Sequence, residues 1–386
     1  MNTVNTKPYQ LPGDATWFVT GCSSGIGRAI ATHVASVPGQ RLVATARDIA
    51  SLSYLDDNNP AIVKLSLDVT QPPAVDAAFK AAAAHFGDSY YIDVVVNNAG
   101  YSLSGDTESV TEHDMHDQFE VNFFGTVRVT LKAIEVMRQS ESRRGGLIFN
   151  ISSLAGICTF PGHAFYHASK HAVEGWSESV AREMHPDWNI HFCIVEPSAV
   201  NTNFETSSKK YTEPHPAYAA ADMPARQLEM FVKKGLAAGV GFEPSAVAIV
   251  LYKIASRNDK VPLRLPLSIT AIKLIRAKLE GQLQDLETHG ELGALDADRA
   301  QFKNPNLLLP QRGNNTQTTC PTNSLLGLNL HQGHAKSLPP CPAEEPIPLP
   351  LPKPSTRRGP THLLDIRNPK RVRYPEKSLN GQELVV

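Results

Sequence analysis

The sequence has few cysteines, and no two of them stand at a metal-binding or redox spacing. The five cysteines, at positions 22, 158, 193, 320 and 341, include no C-x-x-C motif, and their number is odd. Neither a disulfide framework nor a structural zinc site is therefore indicated. The pattern is typical of a protein with free thiols in a reducing compartment, and we expect a cytoplasmic location.

Long apolar runs and an excess of charge are absent as well. No stretch of about 18 apolar residues occurs, so no transmembrane segment is predicted. The polar start "MNTVNTKPYQLPGDATW" lacks the apolar core of a signal peptide. A net charge of −1 gives no basic field that would attract nucleic acid. A globular protein is the prediction, and a peripheral membrane contact of the C-terminal half stays open.

The first two hundred or so residues show a regular alternation. Short apolar runs such as "ATWFVTG", "RLVATAR" and "IDVVVNNAG" alternate with segments of helical spacing such as "GIGRAIATHVASV". Strands that alternate with helices predict βαβ units and a parallel sheet, and uninterrupted apolar strands suit a sheet covered on both faces. With right-handed crossovers, the pattern predicts an α/β fold with a doubly wound parallel sheet, the Rossmann fold.

The composition divides the chain into three parts. We predict an N-terminal extension over residues 1–13, a single folded domain over 14–300 and a tail over 301–386. The tail holds 14 of the 29 prolines, a composition that blocks helix and sheet and predicts disorder. A proline-recognising partner domain or an erroneous gene-model extension are the alternatives. Within the domain, the polar excursion over 203–245 is expected to carry substrate contacts.

The segment "TGCSSGIGRA" follows the first predicted strand. A dinucleotide loop needs a tight strand-to-helix turn, bare backbone near the pyrophosphate and a helix N-terminus that points at the anion. Gly21 ends the strand, Gly25 and Gly27 open the helix, and Ser23 and Ser24 add hydroxyls that can cap it. Taken alone, the loop leaves a glycine turn without a ligand open.

Further motifs downstream give this loop a context. They are "NNAG" at 97–100, "VN" at 121–122, "ISS" at 151–153, "YHASK" at 166–170 and "EPSAVNT" at 196–202. Their order and spacing, over roughly residues 14–205, resemble those of the short-chain dehydrogenase/reductase family. The segment "PLRLPLSITAIKLIRAKLE" resembles the subgroup that includes 17β-hydroxysteroid, retinol and acyl-dihydroxyacetone-phosphate reductases.

The resemblance implies a catalytic set of Ser153, Tyr166, Lys170 and Asn122. Tyr166 and Lys170 are four residues apart, so they share one face of a helix, and a lysine ammonium there favours the phenolate form of tyrosine. Ser153 is favoured over Ser152 because the family serine lies 13 residues before the tyrosine. Its hydroxyl would orient the substrate carbonyl. Asn122 would hold a water that joins Lys170 to solvent.

The end of the second predicted strand bears on the choice of cofactor. NAD-preferring folds place a carboxylate there for the ribose 2′-hydroxyl, whereas this strand ends in Ala46 and is followed by Arg47. A guanidinium binds a 2′-phosphate, and Arg28 supplies a second cation, so these residues favour NADP. The alternative is that Arg47 is a solvated loop charge. Asp48, one position later, is expected to face solvent.

The predicted cofactor contacts come from the glycine loop, from strand ends and from the catalytic helix. They are Gly21, Ser23, Ser24, Gly25, Ile26, Gly27, Thr45, Arg47, Asp68, Val69, Asn97, Ala99, Tyr166, Lys170, Val200 and Thr202. The resemblance assigns Asp68 and Val69 to the adenine. It assigns Val200 and Thr202 to the nicotinamide carboxamide.

No metal is predicted. His163, His167 and His171 recur every four residues, which would suit metal ligands on one helical face. No carboxylate ligand accompanies them, so packing or subunit contact is the expected role.

The resemblance implies an NADP-dependent oxidoreductase that interconverts a carbonyl and a primary or secondary alcohol. The substrate is expected to be apolar or mid-sized, and the chain is expected to form a homodimer or homotetramer. One alternative is a biosynthetic ketoreductase of secondary metabolism. The other is a non-catalytic NADP-sensing interaction protein, against which the intact Ser153, Tyr166 and Lys170 argue.

Overall fold

The structure of the protein, a computed structural model, describes residues 4–87, 90–139, 144–204 and 208–293. The tail for which disorder is predicted lies outside the described residues. Among the described helices, none is long and apolar enough to cross a membrane.

A parallel sheet of seven strands lies at the centre of the domain, in the order β3-β2-β1-β4-β6-β7-β9. The runs "ATWFVTG", "RLVATAR" and "IDVVVNNAG", which the sequence predicts as strands, belong to it, so the predicted doubly wound parallel sheet is confirmed. The strands, with two short ones outside this sheet, are β1 (Thr16–Val19), β2 (Arg41–Ala46), β3 (Ile62–Ser66), β4 (Val94–Asn97), β5 (Ser102–Ser104), β6 (Gly146–Ile151), β7 (Ile190–Pro197), β8 (Lys209–Tyr211) and β9 (Arg264–Leu267).

Helices cover both faces of the sheet, as unbroken apolar strands require. Along β1, the side chains of Trp17 and Val19 enter the core on one face, and that of Phe18 enters the core on the other. The α-helices of the described residues are α1 (Gly25–Ser36), α2 (Pro72–Phe86), α3 (Glu112–Phe119), α4 (Gly125–Gln139), α5 (Ala164–Glu183), α6 (Pro224–Ala237), α7 (Pro244–Ser256) and α8 (Ile269–His289).

The order in which the chain adds strands to the sheet reverses between β1 and β4, which are parallel neighbours. From β1 the chain runs outward through β2 to β3, and then returns to β4 and proceeds to the other edge. In open parallel sheets, such a switch point opens a crevice at the carboxyl ends of the strands, where ligands bind. The glycine loop after β1 and the "NNAG" segment at the end of β4 therefore meet at one place.

The excursion after β7 is attached to the loop that follows β4. Its strand β8 pairs in parallel with β5, and both strands escaped prediction because they are short and polar. The buried carboxylate of Asp106 lies 3.0 Å from Arg226 on α6 and accepts a hydrogen bond from the backbone nitrogen of His215 at 3.1 Å. These contacts fix α6 beside the crevice.

The N-terminal segment packs on the domain rather than extending from it. Asn5 donates hydrogen bonds to the carbonyls of Phe192 and Val261 at 2.8 and 2.9 Å. Tyr9 is buried and forms an isolated bridge with Asp259. No feature near residue 14 separates the predicted extension from the domain in the described residues.

Candidate active site

The glycine loop has the conformation that a dinucleotide loop requires. Gly21 has a φ of +69° and Gly25 a φ of +56°, in the region that favours glycine. A Cβ on Gly27 would lie 2.3 Å from the carbonyl oxygen of Gly21, so these two backbones meet without room for a side chain. Ser24 precedes the first residue of α1, and its hydroxyl makes no cap hydrogen bond. The loop thus presents bare backbone and the N-terminus of α1 to the crevice.

A small cleft of about 130 Å³ lies at the ends of β1 and β4. It is lined by Thr20, Val69, Asn97, Ala99, Gly125 and Thr126. Val69, Asn97 and Ala99 are three of the predicted contacts, and the structure brings them together here. Asp68 beside them accepts hydrogen bonds from the backbone nitrogen and hydroxyl of Thr70 at 3.0 and 2.8 Å, which orients its carboxylate.

The side chains of Thr45 and Asn97, two predicted cofactor contacts on the sheet, form hydrogen bonds within the protein. Thr45 is 1% exposed, and its hydroxyl donates to the carbonyl of Val19 at 3.1 Å. The prediction that the Thr45 side chain contacts the cofactor is therefore corrected, because the sheet encloses it. The amide nitrogen of Asn97 donates to Thr130 Oγ1 and Asn150 Oδ1, both at 2.8 Å. Asn97 thus supports the floor of the cleft from within the core.

Cations flank the crevice at the end of β2. Arg47 follows the last residue of β2 and is exposed, whereas Asp48 accepts a hydrogen bond from Ala50 N at 3.0 Å and caps a short helical turn. Arg28 lies over the ring of Tyr54, with 4.2 Å between its guanidinium carbon and the ring centroid. No carboxylate within the described residues pairs with Arg28 or Arg47.

The turn after β7 approaches the same loop. Thr202 Cγ2 would lie 3.4 Å from a Cβ on Gly25, so it stands beside the start of α1. Val200 forms an isolated parallel bridge with Phe242. The hydroxyl of Ser198, in the same turn, lies 2.7 Å from that of Ser268.

Lys170 is buried on α5 and is attached to the end of β6. Its Nζ donates to the carbonyl of Ile151 at 2.8 Å. Burial lowers the pKa of Lys170 to about 8, and the negative charge of Glu174 opposes this shift. The ammonium lies 5.9 Å from the centroid of the Tyr166 ring, on the same face of the helix.

Tyr166 is half-buried and faces the excursion. Its ring centroid lies 6.1 Å from that of Phe204. Of Phe204, Tyr211 and Tyr218 in the excursion, Phe204 is the one in ring contact with Tyr166. Tyr211 is exposed, and the hydroxyl of Tyr218 donates to Glu108 at 2.5 Å.

Ser153 and Ser152 point to different sides of the loop after β6. The hydroxyl of Ser153 accepts a hydrogen bond from Ala155 N at 3.1 Å and donates to the carbonyl of Pro197 at 3.5 Å, at the half-buried mouth of the crevice. Ser152 is buried, and its Oγ would lie 2.4 Å from a Cβ on Gly156. The environment of the two hydroxyls agrees with the choice of Ser153 as the substrate-facing serine.

Asn122 lies in a π-helical stretch, Glu120–Phe124, that joins α3 to α4. Its Oδ1 accepts from Tyr101 N at 3.0 Å, and its Nδ2 donates to Tyr101 O at 2.9 Å. A Cβ on Gly100 would lie 3.1 Å from Asn122 Oδ1 and 3.8 Å from Lys170 Nζ, so both side chains border Gly100. Asn122 thus fixes the loop after β4 beside Lys170.

A family model described as short chain dehydrogenase matches residues 15–213. The chain belongs to the short-chain dehydrogenase family.

Named relatives agree with this assignment. The chain is 82% identical over 303 residues to oxidoreductase calM of Penicillium decumbens, a match that covers 78% of this chain and 100% of calM. It is 32% identical over 260 residues to retinol dehydrogenase 8 of Bos taurus, covering 64% and 80%. A solved short-chain dehydrogenase from Streptomyces avermitilis superposes with a TM-score of 0.63 at 32% identity, covering 72% of this chain and 98% of that one. The predicted resemblance is confirmed, and the protein is an oxidoreductase of this family.

Sequence reasoning missed a group of charged residues behind the site of this short-chain dehydrogenase. The buried Glu174 on α5 and Glu196 on β7 meet Arg264 on β9, whose side chain is 37% exposed. The glutamates lie close to recognised motifs, since Glu196 precedes Pro197 and Glu174 follows Lys170 by one turn. Three charged residues on separate elements leave no periodic signal in a sequence.

Two of the three histidines, His167 and His171, lie on α5 and hydrogen-bond along it. The Nδ1 of His167 lies 2.6 Å from the carbonyl of His163, and its Nε2 accepts from Phe160 N at 3.2 Å. The Nδ1 of His171 lies 2.9 Å from the carbonyl of His167. These contacts agree with a packing role.

Proposed function

We propose that this short-chain dehydrogenase is an NADP-dependent oxidoreductase that interconverts a carbonyl and a primary or secondary alcohol, with Tyr166 as the proton donor and acceptor. One observation carries the proposal. Lys170 stands one helical turn from Tyr166, and its buried ammonium is held on the carbonyl of Ile151, two residues before Ser153. This contact joins α5, which contains Tyr166, to the end of β6, which Ser153 follows.

The crevice fits a nicotinamide dinucleotide. The pyrophosphate would rest against the bare backbone of Gly21, Gly25 and Gly27 and the N-terminus of α1, where backbone N–H groups and the helix dipole favour an anion. Val69 and Ala99, which line the small cleft beside the glycine loop, would border the adenosine end. Thr202, beside Gly25, would contact the nicotinamide end.

The choice of NADP over NAD rests on the charges at the end of β2. A ribose 2′-hydroxyl is usually held by a carboxylate at this strand end, but Asp48 is engaged in capping a helical turn. Arg47 is exposed, and Arg28 is held in place by Tyr54. Two guanidinium groups at this position suit a 2′-phosphate and would leave a 2′-hydroxyl without its acceptor.

The bound cofactor would supply or accept the hydride, and the protein residues would manage the proton. Ser153 would hydrogen-bond the carbonyl oxygen and stabilise its developing negative charge. Tyr166 would donate its phenolic proton to that oxygen in reduction and recover it in oxidation. Lys170 would favour the phenolate with its positive charge, and Asn122 would connect Lys170 to solvent through a water.

The proposed substrate is an apolar or mid-sized carbonyl compound. Phe204 lies in contact with Tyr166 and gives the crevice an apolar wall. The relationship to a retinol dehydrogenase supports the same class. Phe124, just before α4, and Leu131 on α4 are 44% and 54% exposed, which supports pairing of this helix between two copies in a homodimer or homotetramer.

The test is a panel of ketones and aldehydes, apolar and polar, assayed in parallel with NADPH and NADH. We expect oxidation of NADPH with at least one apolar carbonyl, and a loss of at least about a hundredfold in kcat for Tyr166→Phe. Tyr211→Phe, which removes an exposed phenol outside the crevice, is the matched control and should retain activity. Full turnover by Tyr166→Phe would contradict the mechanism, and a protein that binds NADPH but reduces no member of the panel would favour the sensing alternative.

A further inference from the structure

Two carboxyl groups converge on one nitrogen next to Lys170. Arg264 Nε lies 3.1 Å from Glu174 Oε2 on α5 and 3.7 Å from Glu196 Oε1 on β7. Two carboxylates that share a site cannot both ionise freely, so the pair titrates as a unit and one proton is retained at higher pH.

The surroundings of the two carboxyl groups differ. The Glu196 side chain is fully buried, and neither of its oxygens has a hydrogen-bond partner among the described residues. Glu174 accepts a hydrogen bond from Arg264. Burial, and then the charge of Glu174, raise the pKa of Glu196 to about 8. Burial also raises the pKa of Glu174, but Ser152 and Arg264 oppose that shift. The hydrogen bond from Arg264 therefore favours the charged form of Glu174, and the lack of a partner favours the protonated form of Glu196.

Glu174 shares a face of α5 with Lys170, which it follows by one turn. Its Oε1 lies near Gly156, where a Cβ would be 3.0 Å from it, and the ammonium lies on Ile151 at the same end of β6. The carboxylate of Glu174 and the ammonium of Lys170 do not form a direct ion pair. Opposite charges one helical turn apart still attract each other in a weakly screened interior.

We propose that Glu174 is a positioning residue that keeps Lys170 protonated, and that Glu196 holds the shared proton that leaves Glu174 charged. The consequence of this arrangement for catalysis rests on the proposed function, in which a protonated Lys170 favours the phenolate of Tyr166. The pair is also faced by other titratable groups, namely His171 and Glu178 on α5, Cys193 on β7, Cys158 after β6 and Arg264 on β9.

The experiment measures the pKa of Lys170 directly. The full-length protein is labelled with ¹³C at lysine Cε, and the Lys170 signal is assigned by its loss in Lys170→Arg. In Glu174→Gln we expect the pKa of Lys170 to fall by about one unit, which is a tenfold fall in the ratio of ammonium to free amine. Glu178→Gln is the matched control, because Glu178 also pairs with Arg264 at 2.8 Å but lies two turns from Lys170. It should leave the titration of Lys170 within about 0.3 units of wild type.

Reciprocal variants locate the proton. Glu196→Gln replaces a neutral acid by a neutral amide, so Lys170 should titrate as in wild type. If Glu196→Gln lowers the pKa of Lys170 and Glu174→Gln does not, the proposal is overturned. Should Glu174→Gln fail to give the circular-dichroism spectrum of the folded protein, Glu174→Asp, which withdraws the carboxylate by one methylene, should give a smaller shift in the same direction.

The titration is independent of turnover, so the two proposals can fail separately. An unchanged Lys170 pKa in Glu174→Gln, with carbonyl reduction intact, would overturn this inference and spare the proposed function. A lowered Lys170 pKa in a protein that reduces no carbonyl would support the inference and overturn the proposed function. With both correct, the alkaline limb of the kcat/KM profile moves to lower pH in Glu174→Gln and not in Glu178→Gln.

Discussion

Arg28 and Tyr54 form a stacked pair at the edge of the glycine loop, with 4.2 Å between the guanidinium carbon and the ring centroid. The hydroxyl of Tyr54 donates to the carbonyl of Cys22 at 2.8 Å, so the ring is attached to the loop whose helix carries Arg28. The aromatic face holds a cation beside the crevice without neutralising it, as a carboxylate would. A fixed, unneutralised cation is what a 2′-phosphate site needs.

Tyr54→Leu should weaken NADPH binding selectively. Loss of the ring removes a contact of about 0.5–1 kcal/mol that orders Arg28, so we expect the Kd for NADPH to rise about two- to fivefold. Binding of NADH should change less, because it has no phosphate for Arg28 to meet. Both constants can be measured by cofactor fluorescence. Tyr54→Phe keeps the ring, so the idea fails if it weakens NADPH binding as much as Tyr54→Leu.

Arg47→Asp should shift the preference from NADPH toward NADH. The new carboxylate would repel a 2′-phosphate and accept a hydrogen bond from a 2′-hydroxyl, and we expect the ratio of kcat/KM values to change by about tenfold or more. Asp48→Asn is the matched control next door, since an asparagine can keep the cap on Ala50 N. An unchanged ratio in Arg47→Asp would show that Arg47 is a solvated charge.

Most of the sheet and the glycine loop could be predicted because each leaves a local signal. The strands β1, β4 and β6 are continuous apolar runs, and the backbone of the loop demands glycine at fixed positions. β5 and β8 could not be predicted, since "SLS" and "KKY" have no apolar period and pair only because the excursion returns to the loop after β4.

The site was predictable to the extent that its residues lie in contiguous motifs. The four-residue spacing of Tyr166 and Lys170 is visible in the sequence. Glu196 and Arg264 are 68 positions apart, and they meet only because their strands are neighbours in the sheet. Thr45 was misassigned for a related reason. Its place near a strand end is visible in the sequence, but the burial of its hydroxyl against Val19 is a property of the packed sheet.

Ser153→Ala and Ser152→Ala should separate the two adjacent serines. Ser153 lies at the mouth of the crevice, so its loss should lower kcat/KM about a hundredfold or more through reduced stabilisation of the carbonyl oxygen. Ser152 is buried, and its loss should change kcat/KM by less than about threefold while altering the melting temperature slightly. Steady-state kinetics on the best substrate of the panel decide the point. Equal losses in both variants would assign no special role to Ser153.

Gly27→Ala should damage both stability and cofactor binding. The new Cβ would lie 2.3 Å from Gly21 O and 2.4 Å from Asn98 Nδ2, and relief requires the loop backbone to move. We expect a cost of about 1–3 kcal/mol and a parallel loss of affinity for NADPH. Gly175→Ala is the control, because Gly175 is an exposed position of α5 where a Cβ meets nothing within 4 Å. This substitution should stabilise the protein by about 0.5–1 kcal/mol. Urea unfolding and cofactor titration test both, and an unaffected Gly27→Ala would refute the tight approach.

Glu196→Gln should flatten the pH dependence of stability between about pH 4.5 and 8. The folded-state pKa of Glu196 is about 8, above the unfolded value near 4.3, so the folded chain binds more protons across that window. Stability of the wild type therefore falls as pH rises toward 8, by up to about 5 kcal/mol from this one group. The variant has no proton to lose, and its advantage over wild type should grow steadily from pH 5 to pH 8 in urea unfolding. Glu178, whose pKa is lowered by its hydrogen bond with Arg182, should contribute no slope in this window, so Glu178→Gln should run parallel to wild type. Parallel curves for Glu196→Gln as well would mean that Glu196 is already ionised in the folded protein, and the proton of the pair would then have to lie on Glu174.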